Sequence, residues 1–228
     1  MPRVQLIAAD GANVGIVETA QAKRLGVNFL RFDYSGHGQS SGHYTQGTIS
    51  QWLEESLDVI EAHAPVGKLV LVGSSMGGWI GLRLVEELKK RGRSERIGGL
   101  ILIAPAADFT EKLMWPNLTD EARRDIVEQG VWLRPSAYDD GDYPITRGLI
   151  EDGARWSILP GPVGIAAPVR ILQGGADPDV PWRHALALAQ ALEGEDVVFS
   201  LIRDGDHRLS RPQDIARLIA AVEELASA

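Results

Sequence analysis

The strongest structural signal in the chain is the stretch Leu69-Val70-Leu71-Val72-Gly73-Ser74-Ser75-Met76-Gly77-Gly78-Trp79-Ile80. Four apolar β-formers lead into a glycine-rich turn, and an amphipathic helical pattern continues from Trp79 to about Lys90. The stretch therefore predicts a strand, a sharp turn and a helix. Its turn matches G-x-S-x-G, the pattern of a nucleophilic serine lifted above a sheet edge by a strained turn. This match places Ser75 at the tip of the turn.

The same turn has two other interpretations. It could be a tight glycine loop with a purely structural role, or a phosphate cradle at a helix N-terminus. A phosphate-binding loop of the P-loop kind has a lysine before its Ser or Thr and a longer spacing, and this turn has neither. The flanking strand and helix favour the nucleophile.

The rest of the chain continues the alternation of strand and helix. Apolar runs that predict strands lie at 4–8, 28–33, 69–72, 99–103, 169–173 and 197–202, and helical patterns at 48–62, 79–90, 182–192 and 212–225. Strands that are apolar on both faces are typical of a buried parallel sheet. We therefore predict an α/β fold with a doubly wound, mainly parallel sheet of about six strands.

Composition limits the possible functions. A chain of 228 residues fits one α/β domain, taken here as 1–228, and the formal charge of −8 disfavours nucleic acid and anionic membranes as partners. The chain has no cysteine, which excludes disulfides, thiolate nucleophiles and cysteine-based metal sites. We find no apolar run of the roughly 20 residues that span a membrane, and no basic-then-apolar signal pattern. We therefore expect a cytoplasmic protein with no membrane span; oligomeric state stays open.

Residues 105–168 form a long insertion between predicted strands. It contains no convincing strand, and helices are predicted at 119–129 and 146–159. An insertion of this length is usually functional, so we expect a helical lid. Half of the six tryptophans lie in it, which offers a tentative apolar substrate pocket of Trp115, Trp132, Trp156 and Met114. Alternatively, these side chains anchor the insertion to the body of the protein.

A serine hydroxyl needs a base within hydrogen-bond reach and a third group that orients the base. Of the five histidines, His63 and His184 lie on helical segments, and His37 and His43 lie in loops earlier in the chain. His207 follows the last predicted strand. Because parallel strands end at one edge of the sheet, His207 and Ser75 are expected at the same edge.

Asp177 is the preferred orienting carboxylate. It is the first acidic residue after the fifth strand, in a stretch with two prolines that leads into a helix. Asp179, Asp204 and Asp206 are alternatives, although their Asp-Pro and Asp-Gly neighbours also suit turns. Alternatively, His207 has a purely structural role in the loop that carries it.

Four stretches together resemble the α/β-hydrolases of the mitochondrial palmitoyl-protein thioesterase and acyl-glucuronide esterase type and their bacterial relatives. They are Arg31 to Gly42, Gly73 to Trp79, Gly174 to Pro181 and Asp204 to His207, and the similarity extends over about residues 25–225. The order Ser, Asp, His is that of α/β-hydrolases. The resemblance implies Ser75 as nucleophile, His207 as general base and then acid, and Asp177 as orienting carboxylate, with no metal or organic cofactor.

The resemblance also implies an oxyanion hole. The backbone N–H of Met76 follows the nucleophile at a helix start and is one expected donor. The second donor would come from Ala9, Asp10 or Gly11. The start of the chain departs from the family pattern, because it reaches the first parallel strand without the usual leading antiparallel strands. Pro2 to Gly15 resembles the opening of bacterial translation initiation factor three.

The resemblance implies a serine hydrolase of carboxylic esters or thioesters that acts through an acyl-enzyme, with a small-molecule substrate whose acyl group is apolar. A serine peptidase on the same machinery is one alternative, although no substrate-positioning motif for a peptide stands out. Another is a truncated, weakly active or inactive hydrolase fold used as a binding module, since the start of the chain is atypical. A dehalogenase is disfavoured, because it needs a carboxylate where Ser75 stands.

Overall fold

The computed structural model describes residues 5–9, 24–135 and 142–227. A six-stranded sheet in the order β2-β1-β3-β4-β7-β8 forms its centre, and every pairing described in this sheet is parallel. Its strands are β1 (Gln5–Ala9), β2 (Asn28–Phe32), β3 (Leu69–Ser74), β4 (Ile97–Ile103), β7 (Val169–Gly174) and β8 (Val197–Ile202). The predicted fold class is therefore confirmed.

Helices cover both faces of this sheet. The described helices are α1 (Ile49–His63), α2 (Met76–Lys90), α3 (Asp120–Gln129), α4 (Arg147–Arg155), α5 (Trp182–Ala191) and α6 (Pro212–Ala226). Side chains of α1, α2 and α5 pack on one face with Leu69 and Leu71, whereas α6 packs on the other face with Val70 and Val72. Because side chains alternate along a strand, β3 is buried on both faces, which explains its continuous apolar run.

The segment between β4 and β7 differs from its prediction in one respect. It contains an antiparallel hairpin of β5 (Val131–Arg134) and β6 (Tyr143–Thr146), so the expectation that 105–168 holds no strand was wrong. Each strand has only four residues, and Pro144 within β6 weakens the local signal, since proline is disfavoured inside sheets. The pairing partner, which no local pattern reveals, makes these residues strands.

The two helices predicted in this segment are present. Thr119 caps α3, because its hydroxyl accepts the N–H of Ala122 at 3.1 Å. Thr146 caps α4 in the same way through the N–H of Leu149, but α4 ends at Arg155, four residues before the predicted end. The N–H groups of Ile158 and Leu159 instead donate to the buried carboxylate of Asp108.

The organisation as one domain over 1–228, with a lid over 105–168, stays a prediction. Among the described helices, none has both the length and the apolar character needed to cross a membrane.

Candidate active site

Ser75 lies at the sharp turn between β3 and α2. Its backbone has φ 53° and ψ −118°, in the positive-φ region that residues other than glycine rarely adopt. Hydrogen bonds hold the turn on both sides: the Ser75 N–H donates to Ile103 at 2.8 Å, and its carbonyl accepts from Gly78 and Ala106, each at 3.0 Å. The strained conformation is therefore fixed by β4 and the loop that follows it.

Two glycines of the turn lie in close contact with their surroundings. A Cβ on Gly73 would lie 2.3 Å from the Gly77 carbonyl oxygen, and a Cβ on Gly78 would lie 3.1 Å from the Cβ of Pro105. Gly73 leaves no room for a side chain at all. The first glycine of G-x-S-x-G thus has a steric reason in this structure.

Asp177 lies in the loop after β7, and its side chain is fully buried. Its Oδ1 accepts the backbone N–H groups of Asp179 and Val180, both at 2.9 Å, and its Oδ2 accepts from His207. Burial acts to raise the pKa of this carboxyl group. The hydrogen bonds from His207, Val180 and Asp179 outweigh burial and keep the pKa below its usual value. Asp177 is therefore an ionised acceptor at neutral pH.

His207 lies in the loop after β8, with its side chain 24% exposed. Its Nδ1 lies 2.8 Å from Oδ2 of Asp177, and the ionised carboxylate must be the acceptor. In the neutral ring the proton is therefore on Nδ1, which leaves Nε2 as the basic nitrogen. Burial acts to lower the pKa of His207, but the hydrogen bond and charge of Asp177, helped by Asp179 and Asp206, raise it above its usual value.

The three predicted residues lie in loops at the same edge of the sheet, after β3, β7 and β8. The structure brings Asp177 and His207 into direct contact, whereas the described hydrogen bonds include none between Ser75 and His207. Such contacts are often long before substrate binds. The end of β7 lies in close contact with the loop after β8. A Cβ on Gly174 would be only 2.4 Å from the Asp206 carbonyl oxygen.

The alternative carboxylates have other contacts. Asp204 pairs with Arg211 at 2.6 Å, and Oδ1 of Asp206 accepts the N–H of Leu209 at 2.9 Å. Asp177, Asp179 and His207 offer three ligand atoms within 4.8 Å of one another, which is a donor set that could hold a cation. Asp177 already accepts hydrogen bonds on both oxygens, an arrangement that suits a histidine partner. The absence of a resident metal stays a prediction.

The predicted oxyanion donors are only partly described. Met76 is the first residue of α2, so its N–H has no carbonyl partner within that helix. Ala9 is the last residue of β1 and pairs with Gly73 of β3, so it lies next to the end of the strand that leads into Ser75. Asp10 and Gly11 lie outside the described residues. Both oxyanion donors stay predictions.

The predicted pocket residues are half-buried, and among the described contacts those of Trp156 reach the body of the protein. The indole N–H of Trp156 donates to the hydroxyl of Ser50 at 2.7 Å, and its carbonyl accepts from Trp79 at 3.3 Å. The guanidinium of Arg123 lies 5.9 Å from the ring of Trp115, while Trp132 lies on β5 and Met114 ends a π-helical turn. These contacts favour the anchoring role for Trp156.

Sequence reasoning missed two buried polar residues near this edge. Gln173, the residue before Gly174 in β7, donates to Asp177 and is 0% exposed. Asp108, at φ 54° in the loop after β4, accepts from Ser157, Ile158 and Leu159. The sequence shows only that each is a polar residue in or near an apolar strand, and this does not indicate its hydrogen-bond partners.

The chain is similar to known proteins of the α/β-hydrolase fold. The family model described as "alpha/beta hydrolase fold" matches residues 12–144. The mouse protein named palmitoyl-protein thioesterase ABHD10, mitochondrial, is 35% identical over 204 residues, which are 89% of this chain and 66% of that protein. The chain thus spans slightly less than two thirds of the length of this curated relative.

Two solved structures are similar over nearly the whole chain. One, from Agrobacterium vitis S4, has a TM-score of 0.93 and 46% identity, covering 98% of this chain and 88% of that one. The other, alpha/beta hydrolase domain-containing protein 10 from mouse, has a TM-score of 0.84 and 31% identity, covering 99% of this chain and 90% of that one.

Proposed function

Because the chain belongs to the α/β-hydrolase fold family, we propose that it hydrolyses carboxylic esters or thioesters with an apolar acyl group, through an acyl-enzyme on Ser75. The observation that carries the proposal is the hydrogen bond between His207 and the buried Asp177, at the sheet edge where the strained turn presents Ser75. The curated mouse relative is named a palmitoyl-protein thioesterase, which supports a thioester with a long acyl chain. The cytoplasmic location stays a prediction.

In the first half of the reaction, Nε2 of His207 takes the Ser75 hydroxyl proton as the oxygen attacks the acyl carbonyl carbon. The tetrahedral oxyanion accepts the backbone N–H of Met76 and a second donor. The imidazolium, stabilised by Asp177, then gives its proton to the departing alcohol or thiol. The carbonyl reforms, and the acyl group is left as an ester of Ser75.

In the second half, water replaces the leaving group. Nε2 of His207 removes a proton from water as the oxygen attacks the acyl-enzyme, and the same proton returns to the Ser75 oxygen when the intermediate collapses. The products are the carboxylic acid and the free enzyme. Asp177 keeps its negative charge throughout and fixes the ring with Nδ1 protonated.

The test is turnover of three substrate types by the purified chain: p-nitrophenyl esters of several acyl lengths, an acyl thioester and a peptide amide. We expect hydrolysis of the esters and the thioester, with Ser75→Ala lowering kcat by roughly 10⁴-fold or more. Ser74→Ala is the matched control, because it makes the same change one residue earlier in the same turn, and it should retain activity.

Two outcomes would contradict the proposal. Turnover of the peptide amide well above the Ser75→Ala background would identify a peptidase. If the folded wild-type chain shows no turnover above the Ser75→Ala variant at any acyl length, the chain is a hydrolase fold used for binding.

A further inference from the structure

Gln173 is a buried polar residue on a mainly apolar strand. It lies on β7 and is 0% exposed, and the neighbouring core residues Val169, Ile171 and Leu172 are all aliphatic. Its Oε1 is buried without a hydrogen-bond partner among the described residues. A buried polar atom without a partner is destabilising, so Oε1 contributes nothing favourable to the core. The reason for a glutamine at this position must therefore lie with its amide nitrogen.

The other end of the amide is fully engaged. Its Nε2 lies 3.2 Å from Oδ2 of Asp177, 3.0 Å from the Val180 carbonyl oxygen and 3.0 Å from the Gly174 carbonyl oxygen. All three are acceptors, so rotation of the amide by half a turn would place Oε1 against them. The contacts thus require the amide nitrogen at this position.

These contacts complete the hydrogen bonding of the Asp177 carboxylate. Oδ1 accepts from Asp179 and Val180, and Oδ2 accepts from His207 at 2.8 Å and from Gln173. Four N–H groups thus hold the two oxygens and prevent rotation of the carboxylate. Gln173 also bonds the Val180 carbonyl, which ties the far end of the loop back to β7.

We propose that Gln173 is a positioning residue that acts through Asp177. By donating to Oδ2, it holds that oxygen toward Nδ1 of His207, and so keeps the imidazole in the orientation that lets Nε2 accept the Ser75 proton. The catalytic part of this inference rests on the proposed function. The contact between Gln173 and the Asp177–His207 pair does not.

The test is a double-mutant cycle of Gln173→Met and Asp177→Ala, read out by NMR titration of the His207 imidazole and by kcat. Methionine keeps the volume of glutamine and removes the donor. The charged groups that act on His207 are Asp177, Asp179 and Asp206, and of these Gln173 contacts Asp177. Ile171→Val, a change on the same strand that keeps the amide, is the matched control.

With Asp177 present, we expect Gln173→Met to lower the pKa of His207, because Oδ2 is no longer held toward Nδ1 and stabilises the imidazolium less. We also expect kcat to fall by about 10- to 100-fold, as for the loss of one hydrogen bond to a charged group, with KM little changed. In the Asp177→Ala background, the same replacement should leave the pKa of His207 unchanged.

Two results would overturn the inference: an unchanged pKa and kcat in folded Gln173→Met, or equal shifts in both backgrounds, as a structural role predicts. If Gln173→Met does not fold, Gln173→Asn enters the same cycle, because it withdraws the amide from Oδ2 by one methylene. A wild type without turnover would contradict the proposed hydrolase, while the titration would still test Gln173 independently.

Discussion

At the scale of single residues, the candidate site depends on one short contact. The hydrogen bond from His207 to Asp177 raises the pKa of the imidazole and lowers that of the carboxyl group, although burial opposes both shifts. The same contact selects the tautomer that leaves Nε2 free to accept a proton. Ser75, held at positive φ, supplies the proton in the proposed reaction.

Replacement of Asp177 by asparagine tests this contact. We expect kcat to fall by roughly 10⁴-fold, the size of effect known for the same change in a serine protease triad. The rise of kcat/KM with pH should lie above the usual histidine pKa of about 6.5 in the wild type and move to lower pH in the variant. A profile of kcat and kcat/KM from pH 5 to 9 measures both effects. If the rise of kcat/KM occurs at the same pH in the variant as in the wild type, the role of Asp177 is contradicted.

The same pair makes folding stability depend on pH. The raised pKa of His207 means that its contribution is present below the unfolded-state pKa and is lost as pH rises through the folded-state value. The lowered pKa of Asp177 means that its contribution is lost as pH falls through the folded-state value. Urea unfolding should therefore show a larger loss of stability for Asp177→Asn near pH 5.5 than near pH 9.

At the scale of elements, the turn between β3 and α2 has no room for a side chain at Gly73, whereas α2 has room for one at Gly81. A Cβ on Gly73 would meet the backbone of Gly77, whereas a Cβ on Gly81 would have no atom of the described residues within 4 Å beyond its own helix. Gly81 also lines a small cavity of about 20 Å³ beside Leu71 and Leu84. Replacement by alanine should therefore destabilise the protein at Gly73 and stabilise it at Gly81.

We expect Gly81→Ala to stabilise the protein by about 1 kcal/mol, the difference between glycine and alanine inside a helix. Gly73→Ala is the matched comparison and should be strongly destabilising, because the clash is with backbone atoms. Equilibrium urea denaturation measures both. A loss of stability in Gly81→Ala would show that the space in the structure is not available to a methyl group.

At the scale of the whole molecule, one buried carboxylate fastens the segment between β4 and β7 to α1, and a second one joins two distant parts of the segment. Asp152 of α4 accepts from the N–H and hydroxyl of Ser50 at 2.7 and 2.6 Å, and Trp156 donates to the same hydroxyl. Asp108 binds the chain just beyond α4 through three donors. These contacts hold α4 beside α1, and the hairpin of β5 and β6 lies between Asp108 and α4 in the chain.

Trp156→Phe separates anchoring from substrate binding. It removes the hydrogen bond to Ser50 and should lower stability by about 1 kcal/mol. If Trp156 acts as an anchor, KM for an apolar ester should stay unchanged. Trp132→Phe makes the same ring change in the hairpin and is the control. A large rise in KM without loss of stability would instead place Trp156 in the substrate pocket.

Local patterns were sufficient for the central strands and for the turn at Ser75, because β3 is apolar on both faces and the glycine spacing is short-range. The edge shared by Ser75, Asp177 and His207 followed from the rule that parallel strands end together. The hairpin strand Val131–Arg134 and the partners of Gln173 could not be predicted. Both depend on contacts formed only after distant segments pack, and no local pattern carries that information.

The most direct test of the account is labelling of Ser75 by a fluorophosphonate, which reacts with serines activated by a neighbouring base. Intact-mass and peptide mass spectrometry should find one adduct per chain, on Ser75, with none in Ser75→Ala and much slower labelling in His207→Ala. A folded wild-type protein that stays unlabelled, or that is labelled equally in Ser75→Ala, would contradict the assignment of Ser75 as the nucleophile.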